Sequence, residues 1–404
     1  MPPFKKKPVL KKKTTKTQTL ARPKLVAVSQ ERGAIPSLVL AGLREDMEGT
    51  ESVFVSDYSK NDPITGWVST GSFLLDCAIG LPNGMGFPYP AIVEIVGKES
   101  SAKSSVAYAV MGNMQREGGW AMLEDAEGTF TPDYARLAHL DLSPERFGYS
   151  QMARLEECLK AMGRTVDRNF ALAADLPLAI CLDSVAGTTV EEEQETDGNV
   201  PRALHARILA RSLRQHLVPS LYTRFTDKKT GEELLIGRPL IIMFINQLKA
   251  TMAATAYQQQ LDSFGGVGLK YHARVRIQID RAGEIKEDSD AQPVGIRCRA
   301  RVLKNKVAPP YRTVEFDFRF ASGIEDYIPT MEVLAKYGGI EKAGKQYVWK
   351  GKKYFTNAFR DFLANNPDEW DELKVLGREV LKQVWQDRHY TPPVEEVEED
   401  LELA

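Results

Sequence analysis

Four short apolar runs recur through the middle of the chain: Ala91–Val96, Trp120–Leu123, Leu178–Leu182 and Ile241–Ile245. Each is nearly continuous rather than alternating, and each gives way to polar or glycine residues. That is the pattern of central strands covered on both faces of a parallel sheet. Between them lie amphipathic stretches with helical period, Ser104–Arg116, Arg154–Met162 and Ala203–Leu217. Strand, turn and helix repeated from about residue 66 to 320 predict an α/β core with parallel strands and crossover helices. Upstream, Ala34–Met47 has helical spacing at Leu38, Leu43 and Met47, with Pro36 placed for a first turn, and polar sequence follows to about Thr65. Beyond about residue 325, short helices and a strand-like pair, Gln346–Trp349 and Lys353–Phe355, predict a small α+β lobe.

Charge adds two arms to this core. Residues 1–24 carry nine Lys or Arg and no acid, whereas 390–404 carry six acids and no base. Like-charge runs repel themselves and are expected to be solvated and disordered. The alternative is functional: a basic arm that meets a polyanion, and an acidic tail that competes with it. The expected organisation is therefore a basic arm at 1–30, a small helical segment at 31–65, the core at 66–325, the lobe at 326–388 and the acidic tail at 389–404.

Composition removes several classes. The chain is 43% apolar and 27% charged, with no stretch near the ~18 uninterrupted apolar residues of a membrane-spanning helix. No apolar segment follows the basic N-terminus, so a secretory signal is not expected. Cys77, Cys158, Cys181 and Cys298 are far apart, which argues against a zinc knuckle or a disulfide scaffold and fits a reducing cytoplasm.

The chemistry gathers at the strand ends. Directly after the first apolar run comes Gly97-Lys98-Glu99-Ser100-Ser101-Ala102-Lys103-Ser104, with Ser105 next, opening a helix. A glycine-started loop between strand and helix cradles phosphates with backbone N–H groups and the helix N-terminus. Lys103 would reach the terminal phosphates and Ser104 would hold Mg²⁺. The motif asks for glycine where Ala102 stands, and a Cβ there restricts the backbone and threatens to crowd a phosphate. The third run ends in Asp183, placed as a Walker B carboxylate for Mg²⁺, or else as a cap on a following helix. The second ends in Glu124-Asp125-Ala126-Glu127, whose carboxylates reach the ligand crevice and could orient a water. The fourth ends in Asn246-Gln247, an amide placed to sense a γ-phosphate, or simply a surface residue.

In unbroken order over about residues 66–385, the chain also carries STGS at Ser69–Ser72, DAE at Asp125–Glu127 and LDSVA at Leu182–Ala186. FINQ at Phe244–Gln247, GG at Gly265–Gly266, LK at Leu269–Lys270 and KNKVAPPY at Lys304–Tyr311 follow. IEKAG at Ile340–Gly344 and NNP at Asn365–Pro367 extend the series. This set resembles RecA recombinases. The resemblance implies a RecA-like P-loop ATPase core with a mostly parallel twisted sheet, a small N-terminal helical polymerisation segment and a small α+β C-terminal lobe. It implies an ATP- and Mg²⁺-dependent helical filament on single-stranded DNA that pairs it with homologous duplex and exchanges strands. The setting would be the bacterial cytoplasm or nucleoid, or an infected cell, with single-strand-binding and loader proteins as candidate partners.

Position by position, the resemblance makes Gly97–Ser105 the nucleotide loop, Lys103 and Ser104 the phosphate and Mg²⁺ ligands, Glu127 the catalytic carboxylate, Asp183 the Walker B acid and Gln247 the γ-phosphate sensor. Tyr134 matches the aromatic that stacks on adenine, with Phe320 on the far side of the base. Lys304 and Lys306 match lysines that reach a neighbouring subunit's γ-phosphate. A first DNA loop is implied at Glu192–Arg202, before a helix carrying Arg207, Arg211 and Arg214, with Leu204, Ile208 and Leu213 opposite. A second is implied at Lys249–Gly266, where Met252, Tyr257, Phe264, Gly265 and Gly266 can meet bases, with Lys270 just beyond.

Departures accompany the matches. Lys98 replaces a usual proline, Ala102 a glycine, Thr131 an aspartate, Val267 an asparagine and Phe320 a tyrosine, and Thr226–Gly237 resembles an inserted hairpin. They imply a divergent relative, of the kind a bacteriophage could encode. Ala102 leaves open a second reading, an ATP-binding DNA-coating or regulatory filament in which hydrolysis is impaired.

Overall fold

The computed structural model describes residues 64–173, 175–190, 202–226, 233–250, 261–263, 266–287 and 291–386. The basic arm, nearly all of the 31–65 segment, the acidic tail and most of Glu192–Arg202 lie outside the described residues, as do Met252, Tyr257, Phe264 and Gly265.

The principal strands are β1 (Ala91–Gly97), β2 (Trp120–Asp125), β3 (Phe147–Ser150), β4 (Leu178–Asp183), β5 (Leu240–Ala250), β6 (Val275–Ile285), β7 (Gly295–Asn305), β8 (Thr313–Arg319) and β9 (Gly323–Glu325). The helices that matter here are α1 (Phe73–Gly80), α2 (Lys103–Arg116), α3 (Pro132–Leu137), α4 (Leu155–Leu172), α5 (Arg202–Ser212), α6 (Gly266–His272), α7 (Tyr327–Lys336), α8 (Thr356–Asn365) and α9 (Pro367–Gln386). The strands lie in the order β9-β8-β7-β6-β1-β5-β4-β2-β3. Pairing is parallel from β6 through β3 and antiparallel from β6 to β9.

Why the apolar runs are continuous is visible in the packing. Val93, Ile95, Met243 and Cys181 enter the cluster under α1 and α2, while their neighbours Ile92, Ile242, Phe244 and Ile180 enter the opposite cluster under α4 and α5. With helices on both sides, alternation of polar and apolar positions has no reason to appear. A third cluster, built on Met331, Leu334, Tyr347, Phe359 and Leu373, ties α7, α8 and α9 to three antiparallel strands, Glu341–Ala343, Gln346–Trp349 and Lys352–Phe355.

Several boundaries differ from the sequence reading. β5 runs on through Gln247 to Ala250, and Leu248–Ala250 pairs antiparallel with Leu261–Ser263. The expected second loop, Lys249–Gly266, therefore has a β-stem at its base. α4 extends ten residues past Met162, because Val166 continues its buried stripe. α5 and the π-helical turn after it, Leu213–Leu217, bury Leu204, Leu209, Leu213 and Leu217, while Ile208 is only partly covered. The inserted segment is an antiparallel pair, Tyr222–Thr226 with Glu233–Gly237.

No helix among the described residues is long and apolar enough to cross a membrane.

Candidate functional site

Gly97 ends β1, and a Cβ there would sit 2.1 Å from the carbonyl oxygen of Ile279, so only glycine lets the chain leave the sheet here. The loop then turns through two left-handed residues, Ser100 (φ 56°) and Ala102 (φ 62°, ψ 22°). An L-residue in that region costs roughly 1–2 kcal/mol. Ala102 thus adopts the conformation that a glycine would take, and its methyl packs against the apolar cluster under α2. The steric threat expected from its Cβ is directed into the core. Lys103 opens α2, is almost fully buried and donates from Nζ to the Lys98 carbonyl at 2.5 Å. Burial pushes its pKa down, and the charges of Asp183, Glu127 and Glu99 oppose that shift.

Ser104 Oγ donates to Asp183 Oδ2 at 2.6 Å, across 79 residues of sequence. Asp183 is pushed up to about 6, first by burial and then by the nearby charges of Glu127 and Asp125, against the Ser104 hydrogen bond. A hydroxyl and a carboxylate, both hard oxygen donors, form a donor set that suits Mg²⁺, which keeps most of its ligands as water and phosphate. Among the described residues no cluster of three or more His, Cys, Asp or Glu offers an all-protein metal cage.

Glu127 meets two side chains at one oxygen. Gln247 Nε2 donates to Oε1 at 3.2 Å, and Ser184 Oγ donates to the same atom. The turn that carries Glu127 is organised by Asp125, whose carboxylate accepts from the N–H groups of Gly128 and Phe130, both at 2.9 Å. Glu127 leaves no room for a side chain opposite: a Cβ on Gly187 would lie 2.6 Å from its Cγ. The structure therefore brings Lys103, Ser104, Glu127, Asp183 and Gln247 to one end of the sheet.

Beside this cluster a cavity of about 340 Å³ is lined by Ser69, Ser105, Tyr134, Phe318 and Ser322 among others. Tyr134 (43% exposed) faces Phe318 at 6.2 Å between ring centroids. Phe320, itself 44% exposed, touches Phe318 at 6.3 Å and is not part of the cavity wall. Phe318 carries no signal of its own in the sequence, because it occupies a buried position of β8, whose residues read as an ordinary strand.

Lys304 and Lys306 are not in that cluster. They lie where β7 ends beside the start of β6. Lys304 Nζ donates to the carbonyls of Lys270 at 2.6 Å and Tyr271 at 2.7 Å, capping the end of α6, and Lys306 Nζ lies 5.9 Å from the Tyr271 ring centroid. Burial, with Lys306 and Arg276 nearby, pushes Lys304 down to about 8. Tyr271 is 73% exposed beside these lysines.

Arg207, Arg211 and Arg214 point outward from α5 and the turn after it, and Arg202 begins that helix. Gly266 (φ +69°) begins α6, where a Cβ would lie 2.7 Å from the Cβ of Ala206, and at Gly268 a Cβ would lie 2.5 Å from that of Ala210. Gly266 thus lets α6 press against α5. Three further groups carry no clear sequence signal: Ser184, bonded to Glu127, and the pair Glu94 and Arg276, which lies beside Asn246.

A strand delivering a glycine-started loop into a helix N-terminus, against a second strand that ends in a hydroxyl-bonded carboxylate, defines a P-loop nucleoside triphosphatase. The comparisons narrow the class. The profile of the RecA N-terminal domain matches residues 42–325. The chain is 33% identical over 336 residues to Protein RecA of Caulobacter vibrioides (strain NA1000 / CB15N), covering 82% of this chain and 86% of that protein. It is 33% identical over 304 residues to Protein RecA of Leptospira biflexa, covering 74% and 71%. With Protein RecA of a Nocardioides species it shares 35% over 317 residues, covering 77% and 82%. The chain belongs to the RecA family, as a divergent member. It is a DNA-dependent ATPase and homologous recombinase that binds ATP and DNA and assembles with copies of itself into filaments.

Proposed function

We propose that this recombinase hydrolyses ATP with Glu127 as the carboxylate that orients the attacking water, Lys103 and the loop Gly97–Ser105 as the phosphate cradle, and Gln247 as the γ-phosphate sensor. Ser104 and Asp183 would hold Mg²⁺, which supplies charge neutralisation on the phosphates. The observation that carries this reading is the paired hydrogen bonding of Ser104 to Asp183 and of Gln247 to Glu127. Tyr134 and Phe318 would flank the base, with Phe320 behind them. Because Gln247 lies on the same strand as the stem of the second DNA loop, a shift at the sensor reaches the DNA side without an intermediary.

Lys304 and Lys306 sit apart from their own subunit's loop and are assigned to a neighbour's γ-phosphate. The filament is then a head-to-tail assembly in which each site is completed by the next subunit. Arg202, Arg207, Arg211, Arg214 and Lys270 would meet DNA phosphates, and Met252, Tyr257 and Phe264 would contact bases in the second loop. Single-stranded DNA and a homologous duplex are the substrates of exchange, in the bacterial cytoplasm or nucleoid.

The shared site has its own test. Glu127→Gln and Lys304→Ala subunits should each be inactive alone, and mixing them should restore hydrolysis at about a quarter of the sites, those with both groups intact. No recovery on mixing would place both groups in the same subunit's site.

A further inference from the structure

Glu94 is a charged residue in the middle of β1, on the face that otherwise packs Ile92, Ile242 and Phe244, and its side chain is fully buried. A carboxylate in such a place persists only when both of its oxygens are held by partners. Asn246 Nδ2 donates to Oε1 at 2.9 Å, and Arg276 Nε donates to Oε2. The contacts continue in both directions. Asn246 Oδ1 accepts from the backbone N–H of Gln247 at 3.0 Å, and Gln247 in turn donates to Glu127. On the other side Arg276 pairs in register with Lys304 across β6 and β7, and the Lys304 ammonium lies within the field of both Arg276 and Glu94.

We propose that Glu94 is a positioning residue that joins the lysine end of each subunit to its own sensor, so that a neighbour's bound nucleotide is registered at Gln247. This rests on the assignment above of Lys304 to the neighbour's phosphate and of Gln247 and Glu127 to the subunit's own. The two-state element is the seat of Lys304. In this structure it caps the carbonyls of Lys270 and Tyr271, and a phosphate from the neighbour would draw it away. Moving a full charge beside a buried ion pair changes the field at Glu94 with little solvent screening. Glu94 can answer only through its partners, and Asn246 fixes the backbone of the sensor.

The test is the ATP dependence of single-stranded-DNA-dependent hydrolysis by the full chain. Glu94→Gln keeps the size of the side chain and removes its charge. The variant should lose cooperativity, with a Hill coefficient near 1, and about tenfold in kcat, with little change in half-saturating ATP. Glu94→Gln/Arg276→Gln, which removes both charges of the pair, should show the same loss of cooperativity if either variant is folded by circular dichroism. A purely structural role would lower Tm without changing the Hill coefficient. Unchanged cooperativity in folded variants, or a wild type that shows none, would overturn the proposal. Activity retained by Glu127→Gln would instead overturn the assignment of the site on which it rests.

Discussion

Gln247 Nε2 lies 3.2 Å from Glu127 Oε1, an amide and a carboxylate 120 residues apart that meet just past the end of β2, where the parallel pairing of β5 ends. One strand then runs straight into the antiparallel pair of Leu248–Ala250 with Leu261–Ser263, the stem of the proposed second DNA loop, so the hydrogen bond would join the proposed hydrolytic carboxylate to that loop. Gln247→Ala should keep basal hydrolysis within about threefold and lose at least tenfold of its stimulation by single-stranded DNA. Steady-state ATPase with and without DNA measures both, and full stimulation in the variant would remove Gln247 from the coupling.

Asp183 gives a pH dependence whose sign follows from its shift. Burial raises its folded pKa to about 6 from the ordinary carboxylate value, so the native state holds an extra proton between about pH 4 and 6. Stability from this group is greatest in acid and falls as pH rises through that window. Mg²⁺ needs the ionised form and competes with the same proton. Half-saturating Mg²⁺ for nucleotide binding should therefore rise about tenfold from pH 7.5 to pH 5. Ser104→Ala removes the bond that favours the carboxylate and should move the onset to higher pH. A flat Mg²⁺ requirement down to pH 5 would contradict the assignment.

Ala102 already occupies a glycine conformation, so its cost falls on stability. Ala102→Gly relieves roughly 1–2 kcal/mol of left-handed strain and returns roughly 0.5–1 kcal/mol as added freedom of the unfolded chain. Tm should rise by about 1–3 °C, and turnover should change less than about threefold. A large gain in turnover would mean that the methyl reaches the phosphates after all.

Asp326 stands where the core passes into α7, fully buried, accepting from Ser72 Oγ at 2.9 Å and from the Leu74 N–H at 3.0 Å. Its Oδ1 has no hydrogen-bond partner among the described residues. Burial pushes it up to about 7, so the wild type loses stability from this group as pH rises from about 4 to 7. Asp326→Asn cannot ionise. Its Tm relative to wild type should climb by a few degrees across that range and level off above pH 7. A constant difference would show that Asp326 is ionised throughout.

The end of the sheet that carries the proposed site was legible because four doubly covered strands announce themselves as apolar runs, and Lys103, Glu127, Asp183 and Gln247 stand just past them. The antiparallel half was harder to see. β6 to β8 carry Arg276, Arg297 and Arg299 inside otherwise alternating sequence, and these charges pair with residues far away in the chain, Arg276 with Glu94, Arg297 with Asp317 and with Glu332 on α7, and Arg299 with Glu315. Sequence spacing holds no record of such pairings. The same applies to Gly266, whose use is fixed by the Ala206 methyl on another helix. Glu94 did leave a signal, a lone acid inside an apolar strand, but its meaning depended on finding Asn246 and Arg276 beside it.

The central claim is tested most directly by steady-state ATP hydrolysis with and without single-stranded DNA, in the wild type and in Glu127→Gln. The account predicts hydrolysis that DNA stimulates and that Glu127→Gln abolishes, while ATP-dependent DNA binding survives in the variant. Wild-type turnover no higher than that of Glu127→Gln, with ATP-dependent DNA binding intact in both, would contradict it and leave a nucleotide-gated coat on DNA.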